Sequence, residues 1–272
     1  MDLECHLDPQ NADSRISGSQ DSDSQQPFLS IVIPAHNEEK RLPPSLHKID
    51  AFLKTQDYTA EVLIVENGSQ DNTAAVAKEY AGRYPYIRVM EVDTRGKGRA
   101  VKAGMLAAKG QYRFICDADL SMPIDELVHF LPPYAEGNDV IIASREAHGA
   151  RRVGEPLYRH LMGRINTLII KLFALRGYED TQCGFKMFKA DVADDLFTVQ
   201  QLNGIGFDVE LLYIAGKRGY SVKEQPITWY FDPYSTMRLV DDSLHMLKEI
   251  FEIRQNWRKG YYDKATVENS QS

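Results

Sequence analysis

Two carboxylates separated by one residue, Asp117 and Asp119, follow the short apolar run Phe114-Ile115-Cys116. The run has the character of a buried strand, so both acids fall at its carboxyl end. A hard divalent cation such as Mg²⁺ or Mn²⁺ takes one or two carboxylates together with phosphate oxygens and water. Open α/β sheets bind ligands outside the carboxyl ends of their strands. The pair is therefore a candidate metal site for a diphosphate, although two acids at a strand end are also common as solvated loop residues.

Other charged groups could serve the same chemistry. Asp208 and Glu210 follow Gly204 and Gly206 at an expected helix start; they suit a general base, or simply the positive end of the helix dipole. Gly96-Lys97-Gly98 with Arg95 suits either a tight turn or a diphosphate at a helix N-terminus. Gln182 and Lys186 are candidate polar contacts, with a solvated edge position as the plainer reading of Lys186. Between Arg145 and Arg176 seven Lys/Arg stand against Glu146 and Glu155, a basic segment inside a chain of net charge −7.

The elements that would position these groups are legible from Leu29 onward. Leu29–Ile33, Glu61–Val65, Ile87–Val92, Phe114–Cys116 and Val140–Ser144 predict strands. Leu42–Lys54, Asp71–Tyr84 and Lys97–Ala108 predict the helices between them, with Asp71 and Thr73 as possible caps. This alternation implies parallel βαβ units with right-handed crossovers. Leu157–Leu175 and Leu239–Trp257 carry apolar residues at helical spacing, interleaved with cations. Residues 1–27, rich in Ser, Gln and Asp, are expected to form a disordered tail, as are residues 265–272.

Several classes are disfavoured. A negative net charge does not suit nucleic-acid binding. Val101 stands where a dinucleotide fingerprint needs its third glycine, and no P-loop motif occurs. Cys5, Cys116 and Cys183 form an odd set without metal-ligand spacing, which suits a reducing cytoplasm rather than a disulfide framework, with Cys116 and Cys183 as small buried side chains. No apolar leader opens the chain and no apolar run reaches bilayer length. A soluble or surface-bound protein is the expectation.

Four motifs taken together resemble a known family. Ile31-Val32-Ile33-Pro34-Ala35-His36-Asn37-Glu38-Glu39, Val65-Glu66-Asn67-Gly68-Ser69-Gln70-Asp71, Gly96-Lys97-Gly98 and Asp117-Ala118-Asp119 are similar in order and spacing to the inverting family 2 glycosyltransferases. Asp180-Thr181-Gln182-Cys183-Gly184-Phe185-Lys186 and Phe207-Asp208-Val209-Glu210 resemble the branch that makes polyprenyl-phosphate sugars, the dolichyl-phosphate glucosyl- and mannosyltransferases. The resemblance implies a GT-A fold, a mixed, mainly parallel sheet flanked by helices over residues 28–238, with an amphipathic helical segment at 239–264.

It further implies metal-dependent, inverting transfer of a hexose from a nucleotide diphosphate sugar to a polyprenyl phosphate at the cytoplasmic face of a membrane. Glucose from UDP-glucose is the first expectation and mannose from GDP-mannose the alternative. A soluble family member acting on a saccharide hydroxyl and a nucleotide-sugar binder without turnover are the rivals. By the same resemblance Pro34, His36, Glu38, Val65, Glu66, Asn67, Lys97 and Ala118 would form the donor site, and Asp117 and Asp119 would hold Mg²⁺ or Mn²⁺. Glu66 and Asn67 replace the family's usual aspartate pair, which leaves uridine or guanosine open. Arg145 would contact the donor or acceptor phosphate, and Asp208 is the catalytic acid candidate that the residues themselves offer. Thr236 stands where relatives carry a lysine, so Arg238 is the expected cation there. Arg152, Arg159, Arg164 and Gln182 are the acceptor-side candidates. The first three stand beside Leu157, Leu161, Ile165, Leu168, Ile169 and Leu172, a pattern that fits either an interfacial helix or a core helix with solvated arginines. Trp257-Arg258-Lys259-Gly260-Tyr261-Tyr262 suits a headgroup boundary or packing onto the domain.

Overall fold

The computed structural model describes residues 26–175, 177–232 and 239–263. The two expected tails lie mostly outside these residues, and Thr236 and Arg238 lie wholly outside them. In chain order the elements are β1 (Leu29–Ala35), α1 (Leu42–Leu53), β2 (Ala60–Glu66), α2 (Thr73–Arg83), β3 (Ile87–Glu91), α3 (Lys97–Ala107) and β4 (Tyr112–Ile115). A 3₁₀ segment (Ile124–Phe130) follows, then β5 (Val140–Ser144), β6 (Arg151–Val153), α4 (Leu157–Phe173), β7 (Lys186–Lys189), α5 (Ala190–Val199), α6 (Phe207–Arg218), β8 (Val222–Pro226), β9 (Thr228–Tyr230) and α7 (Leu239–Arg258).

Seven strands form one sheet in the order β3-β2-β1-β4-β7-β5-β8, and β6 pairs with β9 in a small separate ribbon. β1 is parallel to both β2 and β4, with Val32 opposite Leu63 on one side and Ile115 on the other. Strand order therefore reverses beside β1, and a crevice opens at the carboxyl ends of β1 and β4, where open α/β sheets take ligands. The strands read as apolar runs because helices cover both faces. Alternate β1 side chains enter different cores: Ile31 and Ile33 pack with α1 and α2, Val32 with α3.

Regular alternation predicts only parallel strands, yet β7 runs antiparallel to both β4 and β5. After β5 the chain stays at the carboxyl edge through an excursion of residues 145–185, which carries the basic segment, and so re-enters the sheet from that edge. Met246, Ile250 and Ile253 of α7 are fully buried in the core that contains α3, α5 and α6. Lys186, with an edge position as its plainer reading, is fully buried on β7.

Helix α3 sits close to the sheet because residue 104 lacks a side chain. A Cβ there would stand 2.4 Å from Val32 Cγ1 and 2.7 Å from Val65 Cγ2. Gly104→Val should therefore destabilise the fold by about 1–3 kcal/mol through overpacking, measured as a lower urea midpoint with an unchanged m-value.

Candidate active site

A cavity of about 610 Å³ opens at the carboxyl edge of the sheet. The end of β1 supplies Pro34, His36 and Glu38, and the end of β2 supplies Asn67. The N-terminus of α3 contributes Arg95, Gly96 and Lys97, and the end of β4 contributes Asp117, Ala118 and Asp119. Gln182 and Asp208 arrive from much later in the chain to close the opposite wall. The fold thus brings together ten of the donor, acceptor and catalytic candidates in one space.

Charge organises the floor of this cavity. Lys97 Nζ lies 2.7 Å from Asp117 Oδ1, and Lys186 Nζ lies 2.6 Å from Asp208 Oδ1. Lys186 also donates to the Cys183 carbonyl. Burial alone would raise the Asp117 carboxyl, but Lys97, Lys186 and Arg145 hold it below its usual value. Asp119 is pushed up by burial and by the neighbouring Asp117 charge, which its bond from the Ser121 N–H at 2.9 Å only partly offsets. Asp208 is raised by burial despite its two lysines. Gly184 makes room for this arrangement: a Cβ there would stand 1.9 Å from Asp117 Oδ2.

These features fit a divalent cation. Asp117 and Asp119 are two mutually repelling carboxylates on an open cavity wall, the hard oxygen donors that Mg²⁺ and Mn²⁺ prefer. No group of three or more His, Cys, Asp or Glu side chains with metal-binding placement occurs among the described residues. That matches an ion whose remaining ligands would be phosphate oxygens and water.

At the nucleotide end, Asn67 is 3% exposed, and its Oδ1 has no hydrogen-bond partner among the described residues. Its carbonyl lies 2.8 Å from His36 Nδ1. Glu66 faces away from the cavity and shapes the turn instead, accepting from the Ser69 N–H at 2.5 Å. Burial acts to raise Glu66, but the bonds from residues 67–69 outweigh it and keep its carboxyl low. Val65 is fully buried in the core and not on the cavity wall. Arg41 does line the cavity, although no motif marks it. It pairs with Glu38 at 2.6 and 2.7 Å and with Asp232 at 2.8 Å; an acid three residues before an arginine at the start of a helix was the available clue.

The glycosyl transferase family 2 model matches residues 30–197. A dolichyl-phosphate beta-glucosyltransferase of Drosophila melanogaster is 33% identical, with 99% of this chain and 87% of that protein covered. One from Trichomonas vaginalis is 32% identical over 88% of this chain and 75% of its own. The chain belongs to glycosyltransferase family 2. Its fold is shared with glucosyl-3-phosphoglycerate synthase from Mycobacterium tuberculosis, solved with Mn²⁺, UDP and phosphoglyceric acid, at TM-score 0.61 and 17% identity over 89% of this chain and 80% of that one. The sheet, mixed and mostly parallel between helical layers, is that of the GT-A glycosyltransferases.

On the far side of this transferase the cations are already engaged. Arg145, expected at a phosphate, forms a two-pronged pair with Asp180 at 2.6 and 2.9 Å and stacks 5.5 Å from the Trp229 ring. Arg152 reaches Glu155 at 2.5 Å and Glu146 at 2.6 Å, and Arg164 reaches Glu146 at 3.1 Å. Arg159 lies 5.1 Å over the Phe231 ring. None of these four arginines is on the cavity wall. Cys116 and Cys183 are free and buried, as expected.

Burial would raise Asp180, yet Arg145 brings its carboxyl down from 3.8 to about 2. A depressed carboxylate stabilises the fold above its unfolded value, and the contribution is lost as pH falls from about 4 towards 2. It amounts to about 2 kcal/mol. Asp180→Asn should accordingly be less stable than the parent at pH 6, and the gap should narrow as pH is lowered to 3 in urea titrations. A gap that is constant with pH would show that the pair does not titrate this way.

Proposed function

We propose that this family 2 transferase moves glucose from UDP-glucose to the phosphate of a polyprenyl or dolichyl lipid, with inversion at the anomeric carbon. The observation that carries the reading is the cavity in which Asp117 and Asp119 stand beside Lys97, with Asn67 at its nucleotide end. Such a space fits a base, a diphosphate and a sugar in sequence. Glucose and the lipid phosphate come from the names of the relatives in Drosophila and Trichomonas, and uridine from the nucleotide in the Mycobacterium structure.

A divalent cation held by Asp117 and Asp119 would, when bound, neutralise the departing diphosphate. The residues of the chain do the rest. Asn67 bounds the nucleotide end of the cavity, and Arg95 and Lys97 face the diphosphate from the N-terminus of α3. A phosphate monoester is largely ionised near neutral pH, its second pKa being about 6. Its oxygen therefore bonds the anomeric carbon without help from a strong base, while the carbon–oxygen bond to UDP breaks and UDP leaves with the electron pair. Asp208, held by Lys186 and buried beside Lys97, orients cations around the reacting centre in this scheme. An α-linked donor gives a β-linked product.

The lipid part of the acceptor has an apolar surface to meet. Along α4, Leu157, Leu161, Leu168 and Leu172 are 86%, 62%, 56% and 61% exposed, whereas Ile170 on the other side is 1% exposed. Phe251 of α7, also exposed, extends this face beside Phe173, their rings 6.2 Å apart. No helix among the described residues is long and apolar enough to cross a membrane. We place this face on the cytoplasmic surface of a membrane, as an interfacial helix lies; a water-soluble saccharide acceptor would leave it without an occupant.

A panel of nucleotide sugars assayed with a short polyprenyl phosphate tests the chemistry. UDP-glucose with Mg²⁺ or Mn²⁺ should yield a β-linked product, and Asp119→Asn should lose about 100-fold or more in turnover while remaining folded. Full activity in excess EDTA, or an α-linked product, would overturn the scheme.

Docking is tested on vesicles. Replacing both Leu161 and Leu168 with Ser should reduce co-sedimentation with anionic liposomes and raise KM for a long-chain polyprenyl phosphate, with UDP affinity unchanged. Arg164→Ala should do less, because Glu146 already engages that cation.

A further inference from the structure

Buried carboxylates outside the cavity point to a second layer of control. Glu210 on α6 is fully buried and accepts the Gln201 N–H at 2.8 Å, the Leu202 N–H at 3.0 Å and the Tyr262 hydroxyl at 2.7 Å. Glu249 on α7 is 6% exposed, and its Oε2 has no partner among the described residues. It lies against the backbone of the next stretch of the same loop. A Cβ on Gly206 would stand 2.4 Å from Glu249 Oε2, and one on Gly204 would stand 2.9 Å from Oε1. Glu210 thus holds the start of the loop of residues 201–206 by hydrogen bonds, and Glu249 packs against its far end, where burial raises its carboxyl and the Gly206 N–H counters this in part.

That loop is part of the reaction space. Gly204 and Ile205 line the cavity, and Asp208 follows within the first turn of α6. Its other side meets the N-terminus of α3 backbone to backbone. A Cβ on Gly98 would stand 2.7 Å from the Leu202 carbonyl oxygen, Gln200 donates to the Gly98 carbonyl at 2.9 Å, and the Arg99 N–H donates to the Asn203 carbonyl at 3.3 Å. Lys97, between the two glycines, is the partner of Asp117. A continuous line of contact therefore runs from the C-terminal helix through this loop to both charged pairs of the cavity floor.

We infer that Glu249 is a positioning residue for glycosyl transfer: through the Gly204–Gly206 backbone it sets where Asp208 and Lys97 stand relative to the reacting phosphates. Helix α7 is then a working part of the site as well as part of the core. The inference rests on the transfer reaction proposed above, and wild-type turnover of UDP-glucose is the control that tests that reaction separately.

The experiment compares Glu249→Ala, Glu249→Gln, Gly206→Ala and the double variant Gly206→Ala with Glu249→Ala in the full chain. Kinetics would be read beside UDP–Mn²⁺ binding by calorimetry and thermal unfolding. Glu249→Ala should lower kcat about 10- to 100-fold, as ångström-scale misplacement does, with a distinctly smaller loss of UDP–Mn²⁺ affinity through Lys97. Glu249→Gln, which keeps the size and an acceptor oxygen, should recover most of kcat. Gly206→Ala is free of backbone strain, since Gly206 has φ −72° and ψ −6°. Its loss should come from the clash with Glu249, so the double variant should be more active than Gly206→Ala alone, a non-additivity expected of touching groups. Unchanged kcat in folded Glu249→Ala overturns the inference. So does a parallel fall of kcat, UDP affinity and unfolding temperature that Glu249→Gln does not repair, because that pattern marks a purely structural role.

Discussion

Two ammonium–carboxylate pairs, Lys97 with Asp117 and Lys186 with Asp208, set the conditions under which the rest of this molecule can exist. Ions taken out of water cost several kcal/mol each unless geometry restores their partners. Here the restoration depends on backbone placement as much as on the side chains. Asp117 fits only because residue 184 lacks a Cβ, and Lys186 is fully enclosed yet bonded to both Asp208 and the Cys183 carbonyl. The reversal of strand order beside β1, the antiparallel entry of β7 and the start of α6 each deliver one member of this group. The substrates proposed for this transferase would bring several phosphate charges of their own into this concentration of opposite charges.

The carboxyl-edge cavity was visible in the sequence for a local reason. Each of Pro34, Asn67 and Asp117 follows an apolar run closely, and apolar runs between helical patterns are buried parallel strands. The donor-side candidates are reached by one short step from such a run. What escaped a local reading involves partners far apart in the chain. Nothing near Arg145 announces Asp180, and nothing near Gly96–Gly98 announces the carbonyls of residues 202–204. Lys186 looked suited to an edge because a charged residue is seldom fully buried; its enclosure follows from Asp208, 22 positions later. Val65 and Glu66 were misplaced for a different reason. Neighbouring strand residues point to opposite faces, and the motif alone does not say which of them faces the ligand.

The basic segment illustrates how poorly a charge count maps onto a binding surface. Seven cations between residues 145 and 176 suggest a strong anion site. Glu146 and Glu155 nevertheless take Arg152 and Arg164 between them, Asp180 takes Arg145, and Trp229 and Phe231 lie under the guanidinium planes. Cations engaged in this way stabilise the excursion that carries them and leave little free charge to draw an anion.

The antiparallel course of β7 brings two stretches of the chain to one edge of the sheet. Residues 29–119 build the wall at which the nucleotide is proposed to sit, and the excursion between β5 and β7 leaves and rejoins the sheet at one edge without crossing that wall. Gln182 and Gly184, near its end, nevertheless meet the cavity and Asp117, so that end of the excursion is tied to the first four strands. The earlier part of the detour, before Asp180, is thus the stretch whose length and side chains can vary without disturbing the paired charges of the cavity floor.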